Sequence, residues 1–386
     1  MSSSAPCGPA AQSAPRRVPK GAAAESPRSS TCPPSAERPP CSEELPSKRS
    51  RAELPLRRLT MGSICTGLAT CHRAAALIQD ANRGFEISFL FACENGRAAR
   101  AVLAADFPRL RVYGDVCEAE PSLPTCDILT AGFPCQPYSA ANRHRKGSAD
   151  PRSNVVGSIL DYVRRARPRI IVLENVIGML AWGRDTLRFI ITAFRQHGYC
   201  VELEKLSADR HGGLPQNRRR LYIVAILEPS SPLEWPSAVP MQSLPTLLSD
   251  EIGSPGSLPT AAKAASKLRA VESQLRLHGA TSSERLYMVA NCHSQLGKLF
   301  FCRTPCLTAA RGAQGGFWLL GKHRMMVVEE LLRLQGFNPS QTRVAETVSA
   351  RQAGALIGNS FALPVIGRVL VSALRSIGCS LEDPFA

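Results

Sequence analysis

A thiol, a carboxylate and two guanidinium groups stand at the ends of apolar runs in this chain, where side chains can meet a ligand. Cys135 lies in Gly132-Phe133-Pro134-Cys135-Gln136-Pro137-Tyr138-Ser139, directly after the apolar run 127–131. A buried strand followed by a turn brings such a residue to the carboxyl edge of a parallel sheet, where ligands bind. The flanking prolines restrict the backbone, and a following helix N-terminus or basic loop is expected to lower the thiol's pKa. Glu174 ends the apolar run 170–173, and an acid beside a nucleophile can protonate a substrate while a thiolate attacks it. In Gln216-Asn217-Arg218-Arg219-Arg220, the alternate residues Arg218 and Arg220 project to one side of a strand, suited to a carbonyl, the carboxylate or a phosphate. Each feature has a plain alternative. Cys135 reads equally as a small buried hydrophobe, Glu174 as a helix cap, and the arginines as a solvated strand edge.

The elements that must position these groups read as a doubly wound α/β sheet. Short apolar runs at 63–65, 87–93, 111–116, 127–131, 170–174, 199–206 and 221–227 predict seven strands. Helical periodicity between them predicts helices at 72–82, 96–106, 155–167 and 185–197. After Glu228 come a Pro-, Ser- and Gly-rich stretch, a basic helical segment at 260–278 and a mixed run to Cys302, which predict a smaller domain inserted into the first. Residues 324–337 and 361–377 return to helical periodicity and are expected to pack back on the large domain. The expected division is a Ser/Pro-rich basic tail at 1–58, a large sheet domain at 59–227, a small region at 228–302 and completing segments at 303–386. The tail carries about a third of the 30 prolines and little aliphatic periodicity, so it is expected to be disordered.

With 386 residues the chain is long enough for a sizeable core, and 47 Lys+Arg against 31 Asp+Glu leave a net charge of +16. That excess points to a polyanionic partner, nucleic acid before a membrane surface. No stretch approaches the roughly 18 uninterrupted apolar residues of a membrane span. Fourteen irregularly spaced cysteines without a hydrophobic leader predict free thiols in a reducing compartment. Lys48, Arg49 and Arg51 suit nuclear import; the acid-free stretch before Glu25 suits an organellar transit peptide instead, with the cytoplasm as the remaining location. Cys292, His293, Cys302 and Cys306 match no usual zinc spacing, so no metal is expected.

The ordered series of segments resembles the DNA cytosine-5 methyltransferases, enzymes dependent on S-adenosylmethionine. The resemblance covers residues 59–377 and rests on Pro134-Cys135-Gln136, Glu174-Asn175-Val176 and Gln216 to Arg220. It continues through Arg303 to Ala310, Arg333-Leu334-Gln335-Gly336-Phe337 and Gly358-Asn359-Ser360-Phe361. It implies a Rossmann-like methyltransferase sheet with a small inserted target-recognition domain. Cys135 would be the nucleophile adding to C6 of a flipped-out cytosine, and Glu174 would contact N3 and the exocyclic amine. Arg220 would hold the ring's O2, and Arg218 would support the geometry of Glu174 and Cys135.

The same resemblance places the methyl donor on Cys65, Thr66, Gly67 and Leu68 in the first strand-turn. Glu94 would take the ribose, Asp115 and Val116 the adenine, and Pro134, Asn359 and Ser360 would close the site. The first turn departs from the family's Phe-x-Gly-x-Gly-Gly: Cys65 stands where an aromatic would stack, and Ala69 and Thr70 replace two glycines. Gln136, Ser139, Arg143, Arg145, Lys146 and Arg152 would form a lid over double-stranded DNA. Lys263, Lys267, Arg269, Arg276, Arg285 and Lys298 in the inserted region suit phosphates, or equally a solvated helix face. Two other readings stay open. One is a transfer-RNA methyltransferase, although the Cys-Phe-Thr signature of that branch is missing from the inserted region; the other is a catalytically silent DNA-binding homologue. Protein partners are not legible.

Overall fold

The computed structural model describes residues 57–139, 142, 144, 146–249, 262–291 and 298–386. The expectations for the tail, for Arg143 and Arg145, for the Lys263 side chain, and for Cys292 and His293 therefore lie outside the described residues. Seven strands form the main sheet: β1 (Arg57–Ile64), β2 (Phe85–Cys93), β3 (Arg111–Tyr113), β4 (Ile128–Ala131), β5 (Ile170–Val176), β6 (Tyr199–Ser207) and, after the two-residue β7 (Gln216–Asn217), β8 (Arg219–Leu227). Their spatial order is β3-β2-β1-β4-β5-β8-β6. β1 pairs in parallel with β2 and β4, and β4 with β5, whereas β8 runs antiparallel to both β5 and β6. The strand order reverses between β1 and β4, which opens a crevice at their carboxyl ends. The turns leaving these two strands carry Cys65 to Gly67 and Gly132 to Cys135.

Both faces of the sheet are covered, and this is why its inner strands are apolar without alternation. Ile170 and Val172 pack with Ala74, Ala75 and Ile78 of helix Thr70–Ala81 and with Val365, Ile366 and Val369 of helix Leu363–Ser376. Ile171 and Leu173 face the other way, onto Val156 and Ile159 of helix Asn154–Ala166 and onto Ile190 and Phe194 of helix Arg184–Gln196. β1 begins six residues before the apolar run that predicts it, because Leu59 and Met61 point inward while Arg58 and Thr60 alternate outward. The apolar segment Ala350–Ser376 has the length and hydropathy of a membrane span, yet it is 78% buried inside the protein. It consists of the core helices Ala350–Asn359 and Leu363–Ser376.

A second sheet of β9 (Met288–Asn291), β10 (Lys298–Phe301), β12 (Trp318–Leu319) and β13 (Arg324–Met325) has the order β10-β9-β12-β13. Between β10 and β12 the chain returns to the large body, where β11 (Thr304–Pro305) pairs with β7. The expected end of the small region at Cys302 is therefore corrected: its sheet runs on to Met325, interrupted by a segment that belongs to the main fold. Helix Ala262–Leu277 covers this sheet through Leu268, Val271 and Leu275 against Ala290, Trp318 and Leu320. The helix expected at 324–337 shortens to Val328–Leu334, because Arg324 sits in β13 and turns inward onto Glu330 at 2.7 Å.

Candidate active site

The turn after β4 is fixed on both sides of Cys135. Phe133 is buried, and its carbonyl accepts from Asn175 Nδ2 at 3.2 Å. Tyr138 is fully buried, its N–H bonds the Cys135 carbonyl at 3.0 Å, and its hydroxyl reaches Ser153 and Thr186. A side chain at Gly132 would place its Cβ 2.8 Å from the Phe361 ring, so the turn lies close against the C-terminal segment. Cys135 is left half-buried in a cleft of about 920 Å³ along the carboxyl edge of the sheet.

Glu174 lies opposite Tyr222 across the β5–β8 pair, and Arg220 lies opposite Val176. Residues two apart share a face of a strand, so Arg220 and Glu174 are diagonal neighbours, and Arg220 Nε stands 2.9 Å from Glu174 Oε1. Because β8 is antiparallel to β5, its first residues meet the carboxyl end of β5, which brings the arginine run of the sequence to the cleft. Burial raises the Glu174 carboxyl, with Arg220 and then Arg218 opposing. Burial, with Glu174 adding to it, also raises the Cys135 thiol, against Arg220 and Arg218. The expected lowering of this thiol is thus corrected: a turn, not a helix, follows Cys135, and burial is the largest influence on its ionisation.

Among the described residues, the hydrogen bonds of Arg218 go to the cleft wall rather than to Glu174 or Cys135. Arg218 is buried, and its guanidinium donates to the carbonyls of Leu307 (2.7 Å), Gly358 (3.2 Å) and Ser360 (2.6 Å). It ties three segments of the cleft wall together, leaving Arg220 as the partner of Glu174. Sequence reasoning missed the second half of this tie. Gln216 Nε2 donates to the Leu334 carbonyl and to Gln335 Oε1, its Oε1 accepts from Leu307 N–H, and Gln335 Nε2 reaches Ile357 O. The signal was present, since both glutamines lie in the segments that carry the family resemblance. Glycine is required at 358, where a Cβ would stand 2.4 Å from the Thr308 backbone.

At the other end of the cleft, Cys65, Gly67, Glu94, Asp115, Val116, Pro134 and Asn359 all line the wall. The Glu94 carboxylate accepts from Gly67 N–H at 2.8 Å and Gly96 N–H at 2.7 Å, leaving lone pairs for hydroxyls. Asp115 Oδ1 accepts from Cys117 N–H. Nothing stands within 4 Å of where a Cβ at Gly67 would lie, so the space over this turn is open. These groups fit a nucleoside carrying ribose hydroxyls and an amine. Thr66, Leu68 and Ser360 do not line the cleft. The Thr66 hydroxyl bonds Ser63, Leu68 packs into a core cluster, and the Ser360 hydroxyl donates to Ile357 O. The altered turn holds Cys65 and Ala69 at φ 54° alongside Gly67 at φ 57°.

Gln136, Ser139 and Arg152 line the substrate end, together with Asn142 and Thr308. Arg152 forks onto Asp150 (2.8 and 2.6 Å), and these bonds hold the Asp150 carboxyl down at about 2. In the inserted region Arg285 is engaged with Glu272 at 3.0 Å rather than presented to solvent.

The family model of C-5 cytosine-specific DNA methylases matches residues 65–374 of the chain. The Type II methyltransferase M.NgoBI of Neisseria gonorrhoeae is 29% identical over 306 residues, 76% of this chain and 87% of that protein. The fold is similar to a solved structure of the Entamoeba histolytica methyltransferase EhMeth, with TM-score 0.61 and 17% identity over 84% of this chain and all of that one. It is also similar to a putative DNA modification methyltransferase encoded within an Escherichia coli prophage, with TM-score 0.58 and 17% identity over 83% and 99%.

Proposed function

This chain belongs to the C-5 cytosine-specific DNA methylase family, and from that premise we propose that Cys135 and Glu174 carry methylation of carbon 5 of a cytosine in double-stranded DNA. The observation behind this reading is that Cys135 and the Arg220-paired Glu174 line one cleft. Carbon 5 of cytosine is a poor nucleophile until a thiolate adds to C6. Once its proton has passed to solvent, the Cys135 thiolate forms that bond while Glu174 delivers its proton to ring N3, and the ring becomes an enamine with electron density at C5. Arg220 keeps Glu174 facing the ring and lies within reach of the neighbouring carbonyl. Loss of the C5 proton, departure of Cys135 as its thiolate and return of the N3 proton to Glu174 restore the aromatic ring. Both carbons are stacked inside a duplex, so the base must first be turned out into the cleft.

Glu94, Asp115 and the turn at Cys65 to Gly67 would hold S-adenosylmethionine, which supplies an electrophilic methyl group when bound. The decisive experiment incubates the protein and this donor with duplex DNA carrying 5-fluorocytosine. Fluorine cannot leave as a proton does, so a covalent complex through Cys135 is expected; its absence, with DNA bound, would overturn the reading. The same experiment on a transfer RNA carrying 5-fluorocytosine separates the RNA reading from the DNA one. Nuclear action is the companion proposal, supported by Lys48, Arg49 and Arg51. It fails if a fluorescent fusion of the full chain stays outside the nucleus.

A further inference from the structure

Cys306 follows β11 and takes no part in the chemistry above. Its sulfur lies 3.6 Å from Arg218 Nη1 and 3.6 Å from Arg220 Nη2. Arg311 Nη1 holds its carbonyl at 2.5 Å. Two guanidinium groups therefore converge on one half-buried sulfur. The charge count of this corner is uneven. Arg218 and Arg220 bring two positive charges, whereas Glu174 is a single carboxyl group, and it meets Arg220. The oxygens that Arg218 meets are backbone carbonyls. Buried charge is costly unless paired, and an anion between the two guanidiniums offsets part of the excess. The contact that favours a neutral S–H is with the Leu307 carbonyl at 3.6 Å, an oxygen already accepting from Arg218 at 2.7 Å. Burial alone would raise this thiol, yet Arg220, then Arg218 and Arg311, bring it below the ordinary value.

We infer that Cys306 is a positioning residue, held as a thiolate between Arg218 and Arg220, and that by sharing Arg220 it leaves Glu174 able to keep a proton. The second half rests on the acid role proposed for Glu174. The charged and titratable groups around Glu174 are Arg218 and Arg220 at the start of β8, Tyr222 within β8, Cys135 in the β4 turn and Cys71 on helix Thr70–Ala81. The two arginines favour its ionised form. A sulfur anion between them offsets part of that pull. Without it, Glu174 loses its proton at lower pH, and the alkaline limb of the reaction moves toward acid.

Two measurements on the full chain test this. The first is the ultraviolet absorbance of the thiolate across pH, read as wild type minus Cys306→Ser in the absence of DNA. An ionisation midpoint clearly below the ~8.5 of free cysteine is expected; a midpoint at or above it overturns the thiolate. The second is the pH profile of single-turnover methylation of duplex DNA. Cys306→Ser is expected to shift the alkaline limb down by about one unit, and Cys306→Asp, which restores an anion, to move it back. A lower rate with an unshifted limb is all that a structural role would give, and it overturns the positioning role. The titration requires no catalysis, so failure of the proposed reaction is told apart from failure of this inference.

Discussion

Cys135 and Glu174 are each pushed toward the uncharged form by burial, while Arg220 and Arg218 pull the other way. Burial is the largest influence on both groups, so each resists ionisation more than it would in water. Cys135→Ala is expected to abolish methyl transfer while leaving DNA affinity nearly unchanged in a gel-shift titration; residual turnover by this variant would end the nucleophile assignment. Glu174→Gln keeps size and hydrogen bonding but removes the proton donor. Its single-turnover rate is expected to fall by roughly 10²- to 10⁴-fold, and an unchanged rate would mean the acid lies elsewhere. Sequence legibility at this scale was uneven. Both residues stand at or just after apolar runs within segments of the family resemblance, whereas Cys306 sits in a stretch with no periodicity and gains meaning from two arginines 88 and 86 positions away.

The cleft is assembled by loops that leave regular elements, and their strain is local and testable. Cys65 holds a positive φ at the turn after β1, where the family places an aromatic. Cys65→Phe is expected to tighten binding of S-adenosylmethionine by about 0.5–1.5 kcal/mol through stacking, measured by calorimetry; unchanged or weaker binding would show that the adenine does not lie on this residue. Between β7 and β8, the Arg218 guanidinium donates to three carbonyls. Arg218→Met removes the charged donor from those oxygens and is expected to cost on the order of 3 kcal/mol in urea unfolding, with a loss near zero refuting its tying role. On helix Thr70–Ala81, burial holds the His72 imidazole down at about 4. Its unfolded value is near 6.5, so the unfolded chain binds more protons between these limits. Stability from this residue is complete above about pH 6.5 and lost as pH falls toward 4. His72→Leu is expected to flatten that part of the pH–stability curve by about 3 kcal/mol relative to wild type.

Across the whole molecule, the net charge of +16 sets the terms of encounter with DNA, while the cleft sets the reaction. Arg97 and Arg152 line that cleft, and Lys146 stands exposed on the loop beside it. Each phosphate neutralised releases condensed counterions, so the logarithm of affinity is expected to fall linearly with the logarithm of salt, by about 0.9 per phosphate contact. A flat dependence would mean the positive charge serves another purpose. The second sheet does not form from one continuous stretch. β12 and β13 join it only after the chain has returned to pair β11 with β7, so removing residues 228–302 would leave half of that sheet behind.

The sequence by itself determined the seven strands, the four helices between them and the placement of Cys135 and Glu174 at strand ends. Such features are written in the spacing of apolar residues among near neighbours, and periodicity reports them directly. Only the tertiary structure decided which arginine meets Glu174, because that depends on β8 running antiparallel to β5 in one particular register. It also decided that Gln216 meets Gln335, that Leu68 and Ser360 turn away from the cleft, and that the small sheet extends past Cys302. Each of these is a choice of partner across a long stretch of chain. Such choices follow from register and packing of the assembled fold, which local spacing does not encode.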